Sequence, residues 1–248
     1  MSFYYLLLTN FKLLYRNWRG IFFNLALPVA EYVVISVLHI GNILGGAAGD
    51  NYAKFLLPGI ITLSIIQTGV FNLSYWLIDL KEHGVLKRIA ATPVSNFDLI
   101  ASFIISRLAV MLTQTVLLLA IGFTFFGARL TGSFLWILLF VVVGGIVFLE
   151  IGMLISTAAG SYDEAAPITT GLNLIFAFLG NIFFPTEMLP EALQDAGKVL
   201  PVTYLSNGLR SNLSMPQPHG DLFDLIILAA WMIVLGFWCS YSFSKNKK

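Results

Sequence analysis

Six long apolar segments constrain the fold of this chain more than any other feature of its sequence. A helix that crosses the hydrocarbon core of a bilayer needs about 20 mostly apolar residues, because each residue advances it by about 1.5 Å. The segments therefore predict an all-α integral membrane protein with a single transmembrane domain over residues 1–248. The six transmembrane helices are predicted at 21–40, 55–78, 97–126, 134–157, 165–184 and 222–243.

The composition agrees with a membrane protein. Of the 248 residues, 58% are hydrophobic and 11% are charged, whereas a soluble domain has about 25% charged residues. The single cysteine excludes an intramolecular disulfide, and no two of the three histidines are spaced as a pair of metal ligands. We expect neither a metal site nor a nucleic-acid partner.

Basic residues fall unevenly between the two sides that six spans define. The N-terminal leader, the segment 79–95 and the C-terminal tail hold nine Lys and Arg residues, and the opposite loops hold four. Cytoplasmic loops carry an excess of Lys and Arg, so both termini and the segment 79–95 are predicted to be cytoplasmic. We expect a multi-pass protein of the cell membrane.

The leader, residues 1–20, mixes apolar side chains with Lys12, Arg16 and Asn17. This mixture is typical of an amphipathic helix that lies in the membrane interface and contacts lipid. A plain juxtamembrane leader is the alternative.

The segment 79–95 is a charged island between the second and third spans. Five ionised side chains lie within ten positions, and such a group is costly to place in hydrocarbon. Its apolar residues at 85, 86, 89 and 90 follow helical spacing, and Pro93 then interrupts the helix. This pattern predicts a short amphipathic helix that lies on lipid or docks on a partner. The alternative is a solvated loop whose basic residues only set the topology.

Three ionisable residues fall inside predicted spans. Glu31 and Arg107 lie about 15 Å from the cytoplasmic ends of their helices, and Glu150 lies about 10 Å from such an end. A charge in hydrocarbon is costly unless it is paired or faces water. We therefore predict that Arg107 pairs with Glu150, Glu31 or both. A proton-linked or substrate-binding carboxylate is the alternative.

Polar and aromatic residues recur at helical spacing in the second and fifth spans. Hydroxyl and small residues also serve close helix packing in membranes, so packing is the alternative to a substrate path. The candidate path residues are Gln67, Thr68, Phe71, Tyr75, Thr170, Asn173 and Asn181.

The segment 184–203, between the fifth and sixth spans, is moderately apolar and contains three prolines. Thr186 and Pro190 are suitable starts for two short helices. Backbone that is not helical at membrane depth must be buried in protein or face water, so we predict short re-entrant helices at the outer side. Pro185, Glu187 and Pro190 are assigned to an outer gate.

Three motifs together resemble the membrane subunit of type-2 ABC exporters. They are Glu82-His-Gly-Val-Leu-Lys-Arg-Ile-Ala-Ala-Thr-Pro-Val-Ser95, Phe183-Phe-Pro-Thr-Glu-Met-Leu-Pro190 and Phe55-Leu-Leu-Pro-Gly59. Val85 and Lys87 depart from the family pattern, which often has Thr and Glu there, and this changes the charge of the island. The resemblance covers essentially all six predicted spans.

The resemblance implies a cytoplasmic coupling helix between spans two and three that docks on an ATP-hydrolysing subunit. It also implies a second permease copy or paralogue, with spans two and five around the substrate cavity. This chain has no Gly-x-x-x-x-Gly-Lys-Ser/Thr phosphate loop. ATP and Mg²⁺ are therefore expected on a separate ABC ATPase subunit, and this chain is not expected to be an enzyme. The docking residues are expected to be Glu82, Val85, Leu86, Lys87, Arg88 and Ile89.

The expected function is the permease of an ATP-driven exporter for a hydrophobic or amphipathic substrate, such as a drug-like molecule, a lipid or a lipid-linked saccharide. Two alternatives stay open. An ion-coupled secondary transporter would work without an ATPase. A non-transporting membrane scaffold would tolerate apolar substitution of the polar stripes.

Overall fold

The computed structural model describes residues 3–38, 52–85, 88, 96–183, 185–213 and 220–245. All regular elements in these ranges are helical, which confirms the predicted all-α class. A 3₁₀ turn spans Thr186–Met188, and a π-helical turn, Gln67–Asn72, interrupts the second long helix. The α-helices are α1 (Phe3–Arg16), α2 (Trp18–Val37), α3 (Tyr52–Glu82, with the π-helical turn), α4 (Asn96–Phe125), α5 (Phe134–Ala158), α6 (Tyr162–Leu179), α7 (Glu191–Gly197), α8 (Pro201–Leu213) and α9 (Asp221–Lys245).

Five helices of the described chain are long and apolar enough to cross a membrane, namely α2, α3, α4, α5 and α9. The fifth predicted span coincides with α6, which does not reach the same length and hydropathy. Its 18 residues extend about 27 Å, and its first turn contains Asp163 and Glu164. The structure therefore supports five candidate spans by composition and leaves α6 as a shorter, more polar helix.

Local capping explains where α5 and α6 begin. The Ser133 hydroxyl accepts a hydrogen bond from the backbone N–H of Leu135 at 3.2 Å. At α6, the Ser161 hydroxyl accepts from the N–H of Glu164 at 3.4 Å, and the Glu164 carboxylate accepts from the N–H of Gly160 at 2.6 Å. These side chains satisfy backbone donors that a helix leaves free at its first turn.

Helix α3 occupies the centre of the bundle. Of its most apolar window, 83% is buried, compared with 11% for α2 and 22% for α9. Helices α2, α4, α5, α6 and α8 all pack against it. A movement of α3 therefore acts on most of the bundle at once.

Two glycines bring the backbones of α3 and α5 together. A Cβ atom added at Gly69 would lie 2.7 Å from the carbonyl carbon of Phe148, and one added at Gly152 would collide with the carbonyl oxygen of Gly69. Small residues allow such close approach between membrane helices. The contact falls within the π-helical turn of α3, a type of insertion that is frequent at functional sites.

The chain between α6 and α9 forms more helix than the sequence predicts. The short helices predicted from Thr186 and Pro190 are present as the 3₁₀ turn and as α7, which begins directly after Pro190. The prediction omits α8, which is largely buried against α3, α5 and α9. At 13 residues and with many polar side chains, α8 lacks the apolar length that identifies a span from sequence.

Candidate functional site

The predicted docking island begins with a break in α3. At the end of this helix the N–H of His83 donates to the carbonyl of Asp79 at 3.0 Å, and the N–H of Gly84 donates to the carbonyl of Lys81 at 3.0 Å. Gly84 has φ +67°, a backbone conformation that glycine adopts without steric cost. The N–H of Arg88 then donates to the carbonyl of Gly84 at 3.2 Å. A new helical turn therefore starts directly after the glycine.

The docking residues are only partly covered by the structure. Glu82 and Arg88 are exposed, and Val85 is half-buried at the start of the new turn. Leu86, Lys87 and Ile89 lie outside the described residues. The amphipathic docking face therefore stays a prediction.

Lys81 fixes the end of α3 to the end of α5, a contact that the sequence analysis missed. Its ammonium group donates to the carbonyl oxygens of Ser156 at 2.8 Å and Ala159 at 3.4 Å. Cations are favourable at helix C-termini, where carbonyl groups lack helical partners. The only sequence signal is a basic residue in the last turn of α3.

The structure does not form the predicted intramembrane ion pair. In the part of the chain that the structure describes, no salt bridge joins Arg107 to Glu31 or to Glu150. The Arg107 guanidinium lies 5.1 Å from the centre of the Trp76 ring, and the Gln67 side-chain amide donates a hydrogen bond to the Glu31 carboxylate. Similar depth along three helices does not make their side chains meet, because helix rotation decides where each points.

Glu150 faces α9 instead of α4. A Cβ atom at Gly236 would lie 2.9 Å from its Oε1 atom, and the Cys239 thiol donates to its backbone carbonyl at 3.3 Å. The small Gly236 leaves room for the carboxylate between α5 and α9. This packing turns Glu150 away from the predicted partner.

A chain of hydrogen bonds links α2, α3 and α4 beside the π-helical turn. The Thr68 hydroxyl donates to the Gln114 Oε1 atom at 3.1 Å, and the Gln114 Nε2 atom donates to the Asn24 carbonyl at 2.8 Å. The Asn72 amide donates to the Asn24 side-chain oxygen at 2.8 Å. Thr68 is thus placed in a packed network rather than on a path toward α6.

Other predicted path residues do approach α6. The Tyr75 and Thr169 hydroxyl groups share a hydrogen bond of 2.9 Å, and the Phe71 and Tyr75 rings meet edge to face at 6.0 Å. On α6 itself, Thr170 is exposed and Asn173 is half-buried. The structure therefore places Tyr75 against α6, with Phe71 packed on Tyr75, while Thr68 bonds to α4.

Asn181 lies just after α6 and belongs to a different contact. Its backbone has φ +56°, its side-chain amide donates to the Asn207 Oδ1 atom at 2.9 Å, and its carbonyl accepts a hydrogen bond from Arg210. The Arg210 guanidinium also lies 3.7 Å from the centre of the Phe55 ring. Arg210 is only 2% exposed, although it lies between the fifth and sixth predicted spans, among residues that the sequence analysis assigns to loops.

The predicted gate residues flank the 3₁₀ turn. Pro185 is half-buried directly before it, and Pro190 is exposed directly before α7. The side chain of Glu187 lies outside the described residues. Within the described part of the chain, no group of three His, Cys, Asp or Glu residues is placed to hold a metal ion.

Together, the five apolar helices, the central α3 and the broken helix at its end define a polytopic helical membrane protein. Residues 1–214 match the family model described as ABC-2 type transporter. The chain belongs to the ABC-2 type transporter family.

Curated relatives with transport names support this assignment. The chain is 25% identical over 174 residues to the inner membrane transport permease YadH of Escherichia coli, and the alignment covers 68% of each chain. It is 22% identical over 243 residues to the putative transport permease YvfS of Bacillus subtilis, which covers 94% of each. It is 24% identical over 231 residues to nodulation protein J of Rhizobium leguminosarum bv. viciae, over 90% of this chain and 86% of the relative. The chain is a membrane transport permease, a class that is not itself catalytic.

Proposed function

We propose that this chain is the permease half of an ATP-driven exporter and that a separate ABC ATPase subunit drives it through the segment 79–95. The observation that carries this proposal is the geometry at the end of α3. A new helical turn begins at Gly84, only two residues after the central helix ends at Glu82. A partner that moves this turn also moves α3, because few residues separate them.

The contacts of α3 provide a route for that movement. Lys81 connects the end of α3 to the end of α5, and Tyr75 connects α3 to α6 through Thr169. Packed helices change between discrete arrangements rather than deforming continuously, so a rigid shift of α3 repositions both neighbours. ATP and Mg²⁺ would be bound by the partner, whose closure supplies the shift.

The outer face of α6 supports a second permease subunit as the other partner. Ile168, Leu174, Ile175 and Phe178 are all exposed on this helix. This exposed apolar face fits a second permease subunit. The polar residues of the same helix would then line a substrate path between the two subunits. The path would be lined by Phe71, Tyr75, Thr170 and Asn173, with α6 as the sixth span, whereas Gln67 bonds to Glu31 of α2.

The aromatic and amide side chains of this path suit a hydrophobic or amphipathic substrate. In this arrangement both termini and the segment 79–95 face the cytoplasm. The α7 and α8 helices lie at the outer side as re-entrant helices, with Pro185, Glu187 and Pro190 at the gate. We expect the substrate to be exported, because the proposed path leads from the cytoplasmic ATPase side toward the outer helices.

The test is co-purification of the tagged chain from its own membranes, with ATPase subunits identified by mass spectrometry. Val85→Asp places a charge at the start of the docking turn and is expected to abolish ATPase association without reducing membrane insertion. Val199→Asp is the matched control, because Val199 is 65% exposed and lies between α7 and α8. Association that survived both Val85→Asp and Leu86→Asp would remove the docking role.

A further inference from the structure

A polar cavity of about 520 Å³ lies at the end of the bundle that carries α1, between α1, α2, α3 and α4. Its volume falls within the range of about 300 to 1,000 Å³ that ligand pockets span, so it can hold a small ligand or the polar part of a larger one. Nothing in the coupling or path residues above accounts for it. Its polar lining includes Asn10, Asn17, Asn24, Asn72, Asp79 and Arg107.

Arg107 is the cation of this cavity. It is 7% exposed, and across the described residues its guanidinium has no hydrogen bond or ion pair to protein. The guanidinium lies over the Trp76 ring, which itself packs edge to face against Phe103 at 4.5 Å. A guanidinium stays charged and offers five N–H donors in a fixed plane. Burial of a charge is costly unless the charge is paired, so an anionic ligand would stabilise this buried cation.

Asp79 is the anion of the same cavity, one turn beyond Trp76 on α3. Its side chain is 45% exposed, and its only ion-pair contact in the described chain is His83, at 3.2 Å on the protein surface. The cavity therefore has a positive group that is buried and a negative group nearer to solvent. A simple anion would meet repulsion from Asp79 on its way to Arg107.

The rim connects the cavity to an exposed apolar surface of α1 and α2. Phe23 lines the cavity and is also 65% exposed, next to the exposed Phe22 on α2. Leu13 of α1 likewise lines the cavity and is exposed. A ligand with a polar group in the cavity and an acyl chain along α1 and α2 would satisfy both surfaces.

We propose that this cavity binds the head group of a phospholipid that carries both a phosphodiester and a primary ammonium group. The phosphodiester lies against Arg107, with the asparagine amides as further donors, and the ammonium lies against Asp79. Phosphate and guanidinium form strong charge-assisted hydrogen bonds. The bound lipid joins the leader helix α1 to α3 close to the segment that we propose for ATPase docking.

The experiment uses the chain with its co-purifying subunits in nanodiscs of equal parts phosphatidylethanolamine and phosphatidylglycerol. Native mass spectrometry after mild delipidation counts the retained lipids. We expect about fivefold preference for phosphatidylethanolamine, and Arg107→Gln is expected to lower retention of both lipids about tenfold. Asp79→Asn is expected to abolish the preference while keeping retention. Arg19→Gln is the control, because Arg19 is an exposed residue of α2 that does not line the cavity. Its lipid retention and lipid preference should equal those of the unchanged protein.

Retention in Arg107→Gln equal to that in Arg19→Gln would overturn the proposal. An unchanged lipid preference in Asp79→Asn would do so as well, and this variant decides the matter if Arg107→Gln does not stay monodisperse. Soluble phosphoethanolamine and inorganic phosphate are added in separate arms. Displacement of the lipid by either compound at equimolar concentration would identify a soluble ligand and overturn the lipid assignment.

Discussion

Helices α3 and α6 both carry polar residues at helical spacing, yet the structure treats them differently. In α3, Thr68 donates a hydrogen bond to the Gln114 side chain of α4, and Asn72 donates to the Asn24 side chain of α2. In α6, Thr170 is exposed among apolar side chains that face outward. The same sequence pattern thus forms hydrogen bonds to neighbouring helices in α3, whereas in α6 it leaves polar side chains exposed on the surface. A polar stripe in a membrane helix marks a path only where its neighbours leave it unpaired.

The largest effect on stability is expected where the packed glycines of α3 and α5 are substituted, in comparison with a glycine of α6. Gly152→Val drives a side chain into the carbonyl oxygen of Gly69, and overpacking of this kind costs about 3 kcal/mol of unfolding free energy. Gly171→Val is the matched control, since a Cβ atom there meets nothing within 4 Å. Thermal unfolding in detergent measures both variants. Equal stability of the two would show that α3 and α5 do not need this close approach.

A smaller effect is expected from a matched pair of threonines. Thr68→Val leaves the Gln114 oxygen without its donor, which costs about 1 kcal/mol of stability. Thr170→Val should leave stability unchanged, because Thr170 is exposed, and should reduce substrate transport if α6 lines the path. Thermal unfolding and transport into inverted vesicles distinguish the two outcomes. Loss of stability in both variants would contradict the difference between α3 and α6.

The smallest expected effect concerns the end of α3. Lys81→Met removes the bonds to the carbonyl groups of Ser156 and Ala159, with a stability cost of about 0.5 kcal/mol. We expect ATP hydrolysis by the complex to continue while transport per ATP falls, because α5 no longer follows α3. Lys198→Met, at an exposed lysine beyond α7, should change neither quantity. Transport and hydrolysis that fell in equal proportion would argue against this link.

The sequence was sufficient for the elements that depend on apolar length and local capping. The five candidate spans follow from hydrophobic runs alone. The failure of the predicted ion pair has a physical cause. The depth of Arg107 and Glu150 is readable from sequence, but the direction of each side chain depends on partner helices, such as the fit of Glu150 beside Gly236.

Helix α8 escaped prediction for a related reason. Its polar residues, including Asn207 and Arg210, are typical of a loop, and only their partners in the folded chain make them suitable for burial. The partner groups are the Asn181 side chain and backbone carbonyl, more than twenty residues earlier in the sequence. Periodicity within one segment carries no information about such distant partners.

The π-helical turn of α3 has a geometric consequence for everything that follows it. A π-helical turn holds an additional residue compared with an α-helical turn, which corresponds to about 100° of rotation in an uninterrupted helix. The two halves of α3 are therefore out of phase: residues 52–66 obey one helical wheel and residues 73–82 obey another. Lys81 meets the α5 terminus under this phase offset, so the six residues 67–72 act as an angular spacer that sets the orientation of the Lys81 end of α3 relative to the core.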